Sequence, residues 1–339
     1  MHDVELALEE AGLRRVDPAD MSIRRVKAGL GFSYVDADGR TIIHRGIRKR
    51  IADLVIPPAW SEVRIAADAS AHLQAVGRDE AGRLQYIYHD AWEDVRAQAK
   101  AERLRQLGLV LPDLRERVAH AIAAAELTRE GAIAAAVRLI DVAVLRVGHE
   151  MYAGEESGRG AATLLKRHVR LADSTINLSF RGKAGKRIDK QLDDPLLRGA
   201  IERLRRFRGS RLFLDPTPPI KPLTAKDINS WLGEVTGAPV TAKDFRTFHA
   251  SALALETFAR SGPPRSRTEA KRTTTAVARD VALVLANTPT VARKSYIHPA
   301  VLTAYEAGAL SQELLHPARR RSLSLAETAL MRFLEQTTG

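Results

Sequence analysis

The texture of this chain changes near residue 90, and no single repeating architecture accommodates both sides of the change. Upstream, short apolar runs are broken by turn residues at strand-like intervals. Gly31–Val35 and Thr41–Ile43 flank Asp36-Ala37-Asp38-Gly39, a hairpin signal. Leu73–Val76 and Leu84–Tyr88 flank a second turn at Asp79-Glu80-Ala81-Gly82, and Pro57-Pro58 separates the two hairpins. Downstream, Ala-, Leu- and Arg-rich segments take over, beginning with Asp94–Leu107. A length of 339 residues fits two domains or one large one. The pattern predicts an α+β protein: a small β-rich N-terminal domain over 1–90 and a larger, mainly helical domain over 91–339 that carries a three-stranded sheet.

Within the larger part, a second helix is predicted over Pro112–Leu127, with the proline in the first turn, where its missing N–H does no harm. A third runs from about Arg129 to Tyr152, where Ile133, Val137, Ile140 and Val144 recur at helical intervals. His168–Leu171, Thr175–Phe180 and Lys186–Leu192 read as three short strands, with turns at Ala172-Asp173-Ser174 and Arg181–Gly185. Helices resume over Leu196–Arg208, Ala225–Thr236, Ala242–Arg260, Thr268–Ala286 and Pro299–Ala307, and the tail from Ser324 is amphipathic.

The formal charge is +12. From Arg159 to Arg211 there are 15 Lys/Arg against 5 Asp/Glu, so most of the excess sits in one stretch. Leu171, Ile176, Leu178 and Phe180 are interleaved with those charges, which argues against a disordered basic tail. Such a surface favours a polyanion, nucleic acid before an anionic membrane, because the stretch reads as strands without an apolar helical face. No apolar run of membrane-spanning length and no apolar N-terminal leader is present, so a cytoplasmic, nucleoid-associated location is expected. The absence of cysteine excludes disulfides, thiolate metal sites and a cysteine nucleophile. His149-Glu150 lacks a second histidine at helical spacing, and no metal site is expected.

Phosphodiester cleavage without a metal needs an in-line nucleophile, fixed cations at the non-bridging oxygens, and a proton for the leaving oxygen. Tyrosine, arginine and lysine suit those tasks in turn. The chain offers Arg146, Lys183, Arg246, Asn287 and Tyr296, in that order. Lys186 is near enough to Lys183 to compete for the proton-donor role. Lys166-Arg167-His168 and Arg203–Arg208 read equally as phosphate-tracking or as solvated basic surface.

The words around these residues resemble the type IB DNA topoisomerases, in particular the short poxvirus-like and bacterial form. Arg146, Gly148 and Tyr152 match an Arg-x-Gly-x-x-x-Tyr pattern, and Gly182-Lys183 a Gly-Lys hairpin. Lys243 through Thr247 match Lys-Asp-x-Arg-Thr, and Thr288 to Tyr296 match Thr-Pro-x-x-x-Arg-Lys-Ser-Tyr. Val76-Gly77-Arg78-Asp79 with Gly82 to Tyr88 is similar to the family's DNA-facing N-terminal segment, so the likeness spans roughly residues 50 to 300.

The resemblance implies that Tyr296 attacks the scissile phosphate and becomes linked to the DNA 3′ end. Arg146 and Arg246 would hold the non-bridging oxygens, and Lys183 would protonate the departing 5′ oxygen. Gln85, Tyr86 and Tyr88 would contact DNA from the N-terminal domain, and Gly148, Tyr152 and Arg167 from the catalytic domain. It implies a monomer that clamps double-stranded DNA, with no required protein partner and no cofactor, metal or ATP. Poxvirus and eukaryotic members carry histidine where this chain has Asn287, which can donate a hydrogen bond but cannot titrate. A tyrosine recombinase and a DNA-binding protein that has lost catalysis are the alternatives. Lys243 stands where recombinases present histidine, three residues before the second arginine.

Overall fold

The computed structural model describes residues 2–150, 158–316, 318 and 320–337, so Tyr152 lies outside the described residues. Contacts divide the chain into two compact units, Met1–Lys100 and Ala101–Gly339.

The first unit holds helix α1 (His2–Glu10), strands β1 (Ile23–Ala28) and β2 (Gly31–Val35), helix α2 (Arg45–Asp53), and strands β3 (Ser61–Ile65), β4 (Leu73–Arg78) and β5 (Leu84–Tyr88). The strands form one antiparallel sheet in the order β2-β1-β3-β4-β5. Alternation along the strands sends Ile23, Val63, Ile65 and Ala75 to one face, where they pack with Ile51 of α2. Arg24, Arg64, Leu84 and Tyr86 line an open groove. The β4–β5 hairpin forms where the sequence predicts it. The one around Asp36–Gly39 forms only briefly: Asp36 N–H bonds the Arg40 carbonyl at 3.0 Å and Ile42 N–H the Tyr34 carbonyl at 2.8 Å, with one bridge from Val35 to Thr41, while β2 takes β1 as its full-length partner. Strand β1 is hard to read because three of its six residues are basic. Its Arg25 is accommodated by the carbonyls of Ile56, Pro57 and Trp60 and lies 4.0 Å over the Phe32 ring.

Helix α3 spans Trp92–Ala123 without interruption, so the two helices expected here are one, and Pro112 lies inside it. An interior proline costs about 3 kcal/mol. Against that, Leu104, Leu107, Leu111, Leu114, Val118 and Ile122 form one buried stripe that crosses the proline, and each such side chain contributes roughly 1.5–3 kcal/mol on burial. The stripe wins.

Around it the second unit assembles α4 (Arg129–Ala143), the sheet β6 (Val169–Ala172), β7 (Thr175–Arg181) and β8 (Arg187–Asp193), and α5 (Pro195–Arg205). A two-strand ribbon of β9 (Leu214–Asp215) and β10 (Lys221–Pro222) follows, then α6 (Ala225–Thr236), α7 (Ala242–Ser261) and α8 (Arg267–Leu285). The chain continues through a single turn α9 (Pro289–Val291), a π-helical turn (Ala292–Tyr296), α10 (Pro299–Glu306) and α11 (Leu325–Thr337). The three predicted strands form one sheet in the order β6-β7-β8. The fold is the α+β class expected.

Helix α4 is the hub. Periodicity marks one apolar face, yet alanines on its other faces are buried too, which lets neighbouring elements approach closely. At the C-terminus, α11 packs on α7. Arg115 of α3 bridges Asp141 of α4 at 2.8 Å and Glu327 of α11 at 2.8 Å, and His249 of α7 lies 2.8 Å from Asp141. Four helices are thereby joined through one buried polar cluster.

Candidate active site

Helix α4 opens on Thr128, whose Oγ1 accepts from the Gly131 N–H at 3.0 Å, and closes at Ala143. Val144 then turns left-handed, with φ 53°, a strained conformation for a β-branched residue. That turn ends the helix well short of Tyr152 and puts Arg146 in the loop beyond it, not late in the helix as the periodicity predicts. Helix α8 ends the same way, with Ala286 at φ 47° just before Asn287.

Between these two helix ends lies Arg246. Helix α7 begins at a capping box formed by Thr241 and Asp244, and Arg246 is only 3% exposed. Its Nη1 donates to the Val144 carbonyl and its Nη2 to the Leu285 carbonyl, the latter at 2.9 Å. Carbonyls at helix C-termini lack partners and carry partial negative charge, so a buried guanidinium suits them. Burial and the neighbouring charge of Arg146 lower its pKa to about 10, which still leaves it a cation at neutral pH.

Arg146 donates through Nη2 to Asn287 Oδ1 at 2.7 Å. That bond sets the amide's orientation: the oxygen faces Arg146, and Nδ2 is left buried without completing a hydrogen bond. The Nε of Arg246 is in the same condition.

Thr288 caps the turn α9, and Tyr296 is the last residue of the π-helical turn, with Ile297 N–H bonded to Ala292 C=O at 3.0 Å. Ser251 of α7 fixes this segment on both sides of the tyrosine. Its Oγ donates to the Tyr296 carbonyl at 3.2 Å and accepts from the His298 N–H at 3.0 Å. The Tyr296 ring lies over Arg246, 4.9 Å from guanidinium carbon to ring centroid. Burial pushes the phenol pKa up, but the charges of Arg246 and Arg146 and the polar groups of Arg246 and Asn287 outweigh it, leaving the pKa below the usual tyrosine value.

The two candidate lysines separate. Lys186 Nζ donates to the Asn287 backbone carbonyl at 2.5 Å. Lys183 is exposed at the tip of the β7–β8 turn. Gly158 packs so closely on that turn that a Cβ there would lie 2.0 Å from the Gly182 carbonyl oxygen.

Gly148, at φ +82°, crosses Gly160 at backbone contact; a Cβ on Gly160 would lie 2.5 Å from the Arg146 carbonyl oxygen. The crossing accounts for both glycines and fixes the loop that carries Arg146. In the first unit, Tyr86 and Tyr88 stack at 6.1 Å, partly exposed, whereas Gln85 bonds Asp79 at 2.9 Å through its side chain. Strand alternation puts Gln85 on the opposite face from the tyrosines. Arg167 is exposed on a short 3-10 turn. Lys166 donates to the Arg205 and Phe207 carbonyls, and Arg203 to the Ile122 and Ala124 carbonyls, so these two cations tie down the C-terminal ends of α5 and α3. Ser251 escapes sequence reasoning altogether, since a serine inside an apolar helix carries no signal of its own.

A tyrosine over a buried arginine, beside a second arginine and an amide, brings together a nucleophile and fixed cations of the kind that exchange at a phosphodiester requires. Residues 90–315 match the family described as eukaryotic DNA topoisomerase I, catalytic core, and residues 31–79 match bacterial DNA topoisomerase IB, N-terminal domain. The chain is 30% identical over 295 residues to the DNA topoisomerase 1B of Acanthamoeba polyphaga mimivirus, an alignment covering 84% of this chain and 87% of that protein. It belongs to the type IB DNA topoisomerase family.

Proposed function

We propose that this enzyme relaxes supercoiled double-stranded DNA by transient cleavage of one strand at Tyr296. The observation that carries this reading is the convergence of Tyr296, Arg246, Arg146 and Asn287, with two buried donors, Arg246 Nε and Asn287 Nδ2, still available. A buried donor without an acceptor is costly in the resting protein. A phosphate seated between the arginines supplies the acceptors and an anion together.

In the first step the phenol oxygen, its proton lost to solvent, attacks phosphorus. The bond from phosphorus to the 5′ oxygen breaks, and Lys183 supplies the proton that makes a neutral 5′ hydroxyl. The DNA 3′ end is then held as a phosphotyrosine. The free 5′ end rotates about the intact strand and re-attacks, expelling the phenolate, which is a better leaving group than an alkoxide. The ester conserves the bond energy, so ATP is not consumed. The arginines and the Asn287 amide stabilise the charge that grows on the non-bridging oxygens. The protein acts as a monomer, with DNA as its only required partner, in the nucleoid of a bacterial cytoplasm.

The deciding experiment is relaxation of supercoiled plasmid with chelator and without ATP, wild type beside Tyr296→Phe. The wild type should relax the plasmid and form a protein–DNA adduct at the 3′ end, and the variant should bind DNA but do neither. Relaxation by Tyr296→Phe would falsify the assignment.

A further inference from the structure

The ends of α4 and α8 hold a second cation besides Arg246. Lys190 of β8, paired in register with Leu178 of β7, extends its ammonium to the Ala143 carbonyl at 2.6 Å and the Val284 carbonyl at 2.9 Å. Arg246 takes the next carbonyl along each helix, Val144 and Leu285. Two cations therefore grip the same pair of helix ends, one residue apart. Immediately beyond those ends the chain turns left-handed at Val144 and Ala286 and delivers Arg146 and Asn287, which meet at 2.7 Å. The crevice here is also lined by Arg146, Arg159 and Arg246, with no acidic side chain among its lining residues. The carbonyl ends of the two helices are the negative partners of this cation cluster.

We infer that Lys190 is a positioning residue for DNA cleavage: by clamping the ends of α4 and α8 together, it sets the Arg146–Asn287 pair at the spacing the scissile phosphate requires. The inference rests on the site reading given above. Arg246 alone is a poor clamp, because the same guanidinium has to receive a phosphate oxygen. Lys190 lies on the sheet side of the crevice and is free to hold the helices while Arg246 turns to substrate. A displacement of about 1 Å at a reacting centre costs on the order of a hundredfold in rate.

The test is plasmid relaxation under single-turnover conditions, with DNA binding measured separately in a Tyr296→Phe background. Lys190→Met should slow relaxation by about 10- to 100-fold and leave binding within about twofold of the parent. Lys190→Arg, which keeps the charge and two donors, should recover most of the rate. Adding Asn287→Ala to Lys190→Met should cost much less than Asn287→Ala costs alone, because the amide is already misplaced. If Lys190→Met does not fold, Lys190→Gln takes its place in each comparison. A Met variant as fast as wild type, losses that multiply in full, or an Arg variant no better than Met would overturn the inference. Those outcomes are separable from failure of the site reading, which shows as activity in Tyr296→Phe.

Discussion

At the scale of single residues, the site divides labour between groups that titrate and groups that do not. Asn287 is an amide held by Arg146 and cannot titrate. Asn287→Ala should therefore lower the cleavage rate by about 100- to 1,000-fold through loss of one transition-state donor. Asn287→His should introduce a titration near about pH 6–7 into the rate profile; a flat profile there would rule out contact between this position and the reacting phosphate. The lysines are told apart by the leaving group. With a bridging sulfur at the 5′ position no proton is needed, so Lys183→Ala should regain cleavage on that substrate. Lys186→Ala, which loses an anchor to the Asn287 carbonyl, should not. Rescue of the Lys186 variant alone would reverse the two roles. Tyr296, Arg146 and Arg246 are legible in the sequence because each stands inside a word of several fixed residues. Ser251 and Lys190 are not, because what they do is bond backbone carbonyls and amides, a task any donor of the right length can perform and no spacing announces.

At the scale of elements, what the sequence misjudges is where helices stop. Periodicity carries α4 on towards Tyr152, but Val144 at φ 53° ends it at Ala143. The strain is compensated by bonds from α7 and β8 that no local pattern contains. Pro112 misleads in the opposite direction, since a buried stripe overrides it. The three-stranded sheet and helices α5 to α8 follow the predicted boundaries closely, because their apolar periodicity and turn residues agree. The π-helical turn at Ala292–Tyr296 is a register device: each residue advances a helix by about 100°. Deleting one residue between Ala292 and Ser295 should swing Tyr296 off Arg246 and abolish covalent adduct formation, with folding intact by circular dichroism. An active deletion variant would show that register is set elsewhere. A Gly160→Ala substitution, which drives a Cβ into the Arg146 carbonyl, should disable cleavage similarly.

At the scale of the whole molecule, charge sets binding and the buried polar cluster sets stability. A protein that neutralises about six phosphates loses roughly fortyfold in affinity for each doubling of salt. Affinity for plasmid should fall on that order, and indifference to salt would contradict a phosphate-tracking surface. For Asp141, burial raises the carboxyl pKa, but hydrogen bonds from His249 and Arg115 prevail and hold it well below the usual carboxylate range. Glu327 is likewise raised by burial and lowered further by Arg115. Both folded pKa values are depressed, so their stabilisation is complete above about pH 4 and drains away as pH falls through the folded values. Asp141→Asn should cost about 1.5–3 kcal/mol in chemical denaturation at neutral pH, the worth of charge-assisted hydrogen bonds from Arg115 and His249, with Arg115 still paired to Glu327, and should flatten the acid limb of the stability curve. The cluster also has a consequence for timing. Arg115 and Asp141 are made well before Glu327, and Leu330, Met331 and Leu334 of the same helix complete the packing. A nascent chain thus contains every residue of the cleavage site before it contains the helix that closes the core. In chain order the site's residues therefore come before the helix that completes the core beneath them.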